Sequence, residues 1–328
     1  MPGAVFPAWD EFLDEATGRR RAVRDFLQLY FGYSMQASTR EERLLILLGK
    51  GATGKSTLAE GVSGAMGSYH RTASFSTFLK KERSGGGPSE DIARLRGARL
   101  VTASEVDDGQ RFAEGTLKNL TGGDTITARE LYQNSIEFSP EFKLLFILNH
   151  LPYMATDDTA IWRRIVIVDF NYRPEVLKTS LKAMFATPEA KTAILNWAVK
   201  GAIRWHQTGL LIPQEIEIVT AEAREEMDPV AAFIKEECIQ GLRCCEGVTR
   251  LRQKYDTWAA ENGQRYTLDR RRLNRALEAK GFKQGTRKLE NGPKTRCWLG
   301  IQWASQDEQV RDSILSRLYP APDGLFRS

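Results

Sequence analysis

Apolar residues recur along this chain in two rhythms, and the switches between them divide it. Short, mainly apolar runs lie at 44–48, 99–103, 143–148 and 165–170, the length and texture of strands buried on both faces. Between them the spacing turns helical or glycine-rich, which predicts a parallel α/β domain over 44–170. Before it, Trp9, Phe12, Leu13, Val23, Phe26, Leu27 and Tyr30 fall at helical spacing, so 1–43 reads as a small helical region. After it, Leu177, Leu181, Met184 and Phe185, then Ile194, Trp197, Ala198, Ala202 and Trp205, predict a helical connector over 171–228. The pattern changes again after Asp228-Pro229. Val230, Phe233, Ile234 and Cys238 mark one helix, and Val248, Leu251, Tyr255 and Trp258 a second. Leu273 and Leu277 mark a third over 270–280, opened by Thr267-Leu268-Asp269 and stopped by Gly281. Strand, turn and strand follow over 282–301, so 229–303 forms its own module. Residues 304–328 read as a helix and a loose tail.

Composition narrows the class without naming it. The 328 residues are 41% hydrophobic and 27% charged, ordinary for a globular protein, and their length suits two or three domains. No apolar run approaches the ~18–20 residues of a membrane span, and the opening MPGAVFPAWDEF lacks the basic and apolar regions of a signal peptide. No membrane partner and a cytoplasmic location are therefore expected. Cys238, Cys244, Cys245 and Cys297 show no C-x-x-C spacing and there are only three histidines, which argues for reduced thiols over a zinc site. The net charge of +5 is uneven: residues 241–300 hold 15 Lys/Arg against 6 Asp/Glu, leaving the rest slightly acidic. A basic C-terminal module suggests a polyanion partner there, although a solvated basic face would look the same.

The strongest chemical signal sits directly after the first strand. Gly49-Lys50-Gly51-Ala52-Thr53-Gly54-Lys55-Ser56-Thr57 satisfies G-x-x-x-x-G-K-[ST] between a strand and a helix, the context a phosphate-binding loop requires. Its backbone N–H groups can cradle phosphates, Lys55 can reach the β- and γ-phosphates of ATP, and the Ser56 hydroxyl can ligate Mg²⁺. The strand at 100–104 leads into Glu105, a carboxylate able to polarise attacking water and to share the metal. Ser104 stands where many such enzymes carry a metal-ligating Asp. The strand at 144–148 ends in Asn149, whose amide can hold both the γ-phosphate and the water. Arg163-Arg164 precede the next strand. Either Arg164 reaches a neighbouring subunit's γ-phosphate, or the pair makes salt bridges to Asp157 or Asp158. Residues 85–88 (GGGP) predict a mobile loop.

This order resembles the superfamily 3 helicases, most closely the helicase part of phage, plasmid and poxvirus-type primase–helicases. The matching stretches are LLGKGATGKST (47–57), GARLVTASE (97–105), LKNLTGGDTITARELY (117–132), FKLLFILNHLP (142–152) and AIWRRIVIVDF (160–170), with PAWDEFLDEA (7–16) where family members carry a helical collar. The resemblance implies an AAA+-like ring ATPase, hexameric, that moves on single-stranded and forked DNA. It places Glu105 at the catalytic acid, Asn149 at the sensor and Arg164 at the arginine finger. It also makes 125–140 a hairpin projecting into the channel, with Arg129 and Lys118 on DNA phosphates. Pairing of Arg129 with Glu130 or Glu137 is the alternative. Only about 40 residues precede the ATPase, so a separate primase or polymerase is expected to make primers.

The module at 229–303 follows a winged-helix pattern, which serves either DNA binding or protein docking. Arg270, Arg271 and Arg275 on its third helix, with Lys288, Lys294 and Arg296 on the wing, are the candidate DNA contacts. Two functions stay open: an ATP-driven replicative helicase of a phage, plasmid or integrated element, or an ATP-switched DNA-binding initiator that does not unwind processively.

Overall fold

The computed structural model describes residues 4–80, 90–104, 110–129, 135–156, 158–173, 180–262, 268–288 and 294–304. The chain forms two compact units, Met1–Arg224 and Glu225–Ser328. Among the described residues no helix is long and apolar enough to cross a membrane.

The first unit begins with α1 (Pro7–Ala16) and α2 (Arg21–Ser34), followed by β1 (Leu44–Leu48), α3 (Lys55–Met66) and β2 (His70–Thr72). Next come α4 (Glu90–Ala93), β3 (Leu100–Ser104), α5 (Glu114–Thr121), the hairpin β4 (Ile126–Arg129) and β5 (Ser135–Phe138), and β6 (Lys143–Leu148). Then come α6 (Thr159–Trp162), β7 (Ile165–Asp169), α7 (Leu181–Phe185), α8 (Pro188–Thr208) and α9 (Gln214–Glu226), within whose last turn the division after Arg224 falls. Five strands form a parallel sheet in the order β2-β3-β6-β1-β7. Leu44 through Leu47 are fully buried, because β1 lies between β6 and β7 with both faces covered. Alternation along the strands sends Leu45, Leu47, Leu145 and Val166 into the core shared with Trp9, Phe12, Phe31 and Leu58 of the helices. Phe146 takes the other direction and meets Phe75, Phe78 and Phe112 at ring separations of 5.2, 4.8 and 5.7 Å. The edge strand β7 is partly satisfied from α9, whose Thr220 hydroxyl accepts the Ile167 N–H at 3.1 Å.

Helix α8 has strong local signals at both ends. Thr187 caps the Ala190 N–H, Pro188 occupies the first turn, and Gly209 follows the last residue with φ 69°. It crosses α2 at backbone contact. A Cβ at Gly201 would lie 1.9 Å from the Gln28 carbonyl oxygen, and one at Gly32 would lie 2.1 Å from the Ala202 nitrogen.

The second unit contains α10 (Pro229–Glu237), β8 (Cys238–Gly247), α11 (Val248–Glu261), α12 (Arg270–Ala279), β9 (Lys283–Lys288) and β10 (Lys294–Trp303). Its sheet is antiparallel and three-stranded, in the order β8-β10-β9. The sequence predicted only the last two strands. β8 escapes the pattern because residues 240–243 are exposed on both sides, Leu242 included, so no apolar alternation marks it. Val230, Phe233, Leu251, Tyr255, Trp258, Leu273, Leu277 and Trp298 make the core of this unit. The expected loop at 85–88, Glu105, Asp157, the hairpin tip at 130–134, Thr267, the turn at 290–293 and the tail from 305 lie outside the described residues.

Candidate functional site

The glycine-rich loop leaves the C-terminal end of β1, the end at which open parallel sheets bind ligands. Its shape is set residue by residue. Gly49 has φ 155° and a Cβ there would meet the Phe170 carbonyl oxygen at 2.3 Å, so the turn out of the strand excludes any side chain. Ala52 adopts a left-handed φ of 64°, which strains an L-residue by about 1 kcal/mol or more. Gly54, with φ 91°, caps α3, and a Cβ there would crowd Phe12 at 3.1 Å and Ala16 at 3.2 Å. Helix α1 therefore supports the loop from beneath. Gly51 meets nothing within 4 Å and leaves the open side of the loop bare.

Lys55 opens α3 and is only 5% exposed. Its Nζ donates to the carbonyls of Gly49 and Lys50 at 2.5 and 2.8 Å, with the Asn149 Oδ1 at 3.3 Å and the Thr53 Oγ1 at 3.4 Å. Thr53 also donates to the Lys50 carbonyl at 3.1 Å. Burial pulls the Lys55 pKa below its ordinary value, and no carboxylate offsets that among its described contacts. Three separate sequence elements thus meet at one ammonium: loop, helix start and the end of β6.

A cavity of about 760 Å³ opens here, lined by Gly51, Ala52, Thr53, Gly54, Lys55, Ser56 and Thr57 with Ser104, Ile147, Asn149 and Lys182. Its size suits a nucleotide. Ser56 and Ser104 are both among the lining residues, and Ser104 ends β3 beside Ile147 of β6. Among the described residues no group of three or more His, Cys, Asp or Glu is placed to hold a metal ion. That donor set fits Mg²⁺ only as magnesium is ordinarily held beside nucleotides, by few protein ligands, phosphates and water. Lys182 is the lining residue that sequence reasoning missed. Nothing in Leu181–Phe185 (LKAMF) beyond helical amphipathicity distinguishes it.

The two arginines differ in placement. Arg164, where the resemblance puts the arginine finger, is buried, its side chain 10% exposed. It is ion-paired to Glu42 at 2.8 Å and donates to the Ala160 carbonyl at 2.8 Å. It lies inside because residue 164 leads straight into β1's neighbour, where the Leu44 N–H already bonds its carbonyl. Arg163 is the outward one, 63% exposed, although it too pairs with Glu42, at 2.9 Å. Among the described residues, both arginines pair with Glu42 and neither with Asp158. That carboxylate instead receives Lys118 Nζ at 2.8 Å and caps α6 through the Ile161 N–H. Burial raises the Asp158 pKa, but the bonds from Lys118 and Ile161 outweigh it and hold the carboxyl below its usual range. Lys118, expected on DNA, thus ties α5 to α6.

Arg129 is exposed at the described end of β4, opposite Ser135 in the hairpin ladder. In the second unit Arg270, Arg271 and Arg275 are exposed on α12 while Leu273 and Leu277 face inward. Asp269 caps that helix by accepting the Arg272 N–H at 2.9 Å. Lys294 and Arg296 are exposed on β10.

Residues 47–164, which hold the loop and strands β2 to β6, match a domain family of unknown function, DUF5906. The chain is 26% identical to "Putative helicase L207/L206" of Acanthamoeba polyphaga mimivirus over 74% of its length, and 31% identical to "Putative helicase 022R" of Frog virus 3 (isolate Goorha) over 49%. It spans 27% and 16% of those two proteins. Among solved structures it is similar to the apo form of the C-terminal region of NrS-1, with a TM-score of 0.53 at 11% identity over 90% of this chain and 76% of that one. At that identity the likeness is one of fold. Together these findings relate the chain to viral proteins named as helicases, on a mixed α/β architecture with a five-stranded parallel sheet.

Proposed function

We propose that this chain is the ATPase region of a DNA helicase of the superfamily 3, AAA+-like type, working as a ring of identical subunits. The observation that carries the reading is the convergence on Lys55 of the loop carbonyls and Asn149, at the C-terminal end of a parallel sheet. ATP would seat its phosphates against the loop N–H groups and the first turn of α3, where the helix dipole favours negative charge. Bound phosphate replaces the loop carbonyls as the partner of Lys55. Ser56 would hold Mg²⁺ together with the phosphates, and the ion would supply charge neutralisation there. Glu105, next after Ser104, accepts a proton from the attacking water, and Asn149 orients that water against the γ-phosphate. Arg163 of an adjacent subunit, being exposed, takes the role of arginine finger that the resemblance assigns to Arg164.

DNA contacts in this reading come from Arg129 on the β4–β5 hairpin and from the second unit as a winged helix. There Arg270, Arg271 and Arg275 enter or flank a groove, and Lys294 and Arg296 hold phosphates. The names of the viral relatives support a helicase over other nucleotide-dependent proteins. The test is unwinding of forked DNA with ATP and Mg²⁺, on substrates of both polarities. Strand separation that requires Lys55 is the expected outcome. ATP-dependent binding to duplex DNA without strand separation would replace the helicase with an initiator.

A further inference from the structure

We infer that Lys182 supplies a second cation to the phosphates of the bound nucleotide, from α7 rather than from the glycine-rich loop. The inference rests on the reading of that loop as a nucleotide site. Among the described residues lining the cavity, Lys55 and Lys182 are the cations, and no carboxylate stands among them. Lys55 is held inward by loop carbonyls. Lys182 is different: its side chain is 51% exposed and its Nζ meets Glu60 Oε1 of α3 at 2.5 Å. Glu60 is as exposed as its partner. An ion pair this open to water is weakly held, whereas a polyphosphate offers several charged oxygens in a partly enclosed cavity. Rotation of the four-carbon stem is enough for Lys182 to exchange one anion for the other.

Packing explains why α7 can aim this cation although the helix is only five residues long. Phe185 is buried with its ring 5.0 Å from Trp9 and 5.4 Å from Phe12. Phe12 in turn is the ring against which Gly54 is pressed. The loop and the cation-bearing helix therefore rest on one aromatic cluster.

The test is equilibrium binding of Mg-ATP to the full chain. Lys182→Ala should weaken binding roughly tenfold, the scale of one charge-assisted contact, with the thermal midpoint unchanged. Lys182→Arg should restore most of the affinity. Glu60→Gln, which removes the resident partner, should leave affinity equal or tighter. If Lys182→Ala binds as wild type while Lys55→Ala does not, the proposal falls and the nucleotide reading stands. If Glu60→Gln weakens binding as much as Lys182→Ala, the pair is structural and the proposal also falls. No ATP binding by the wild-type chain would remove the nucleotide reading itself, and the proposal with it.

Discussion

Lys55 is costly to bury and is held by neutral carbonyls, so its charge is available to an anion that offers more. Lys55→Ala should therefore lose ATP binding and hydrolysis together. Glu105→Gln keeps the phosphate contacts and should bind ATP while turnover drops by at least about a hundredfold, the usual worth of a general base; near-normal turnover would remove Glu105 from the chemistry. A second buried lysine behaves differently. Lys143, at the start of β6, donates to the carbonyls of Gln36 and Glu141 and stands 4.4 Å from the Tyr33 ring centre. Burial, with Arg99 nearby and Glu141 opposing, lowers its pKa to about 7. The folded value lies below the unfolded one, so between them the unfolded chain binds more protons and stability rises with pH. From pH 7 toward 10 the wild type should gain stability relative to Lys143→Met, with a slope of at most about 1.4 kcal/mol per pH unit. Parallel denaturation curves for the two proteins across that range would contradict the shift.

Elements buried on both faces were legible because their signal is dense. The four apolar runs correspond to β1, β3, β6 and β7, and the loop follows β1 because a strand–glycine–helix pattern has few other readings. Short or half-wet elements were not legible. β2 is three residues with two of them exposed, and β8 is a strand whose middle faces solvent. At the site, Lys55 and Asn149 could be read from the chain order, whereas Lys182 and the inward turn of Arg164 depend on packing between distant segments. The α2–α8 crossing belongs to the same class: Gly32 and Gly201 look like helix-weakening residues until their backbones are seen in contact. Alanine is the better helix former by about 1 kcal/mol, so local propensity predicts that Gly201→Ala stabilises. The 1.9 Å approach to the Gln28 carbonyl predicts the reverse, a loss of about 2 kcal/mol or more as the helices are forced apart. A urea midpoint at or above that of wild type would show that the crossing yields more easily than the packing indicates.

Across the whole molecule, the ring proposed above would make this site half of a catalytic centre. Loop, Asn149 and Lys182 line one cavity, but the described lining contains no arginine, and the exposed guanidinium at Arg163 is tied to Glu42 beside β1. In a head-to-tail ring each subunit would present that arginine to its neighbour's cavity. Each variant should then be nearly inactive alone, Arg163→Ala because an arginine finger is worth about 10³–10⁵ in rate and Lys55→Ala because it loses ATP binding. Mixing them creates one productive kind of interface, an intact loop from the first variant facing an intact arginine from the second. With random assembly at equal concentrations, roughly a quarter of the interfaces are of that kind, so ATPase activity should peak there at roughly a quarter of wild type. The same mixture made with Arg164→Ala tests the alternative directly. Arg164 is buried and paired within its own subunit, so its loss should reduce stability and yield no recovery by mixing. Recovery with Arg164→Ala and none with Arg163→Ala would reverse the assignment. A flat response for both, at every ratio, would mean that the centre is complete within one chain.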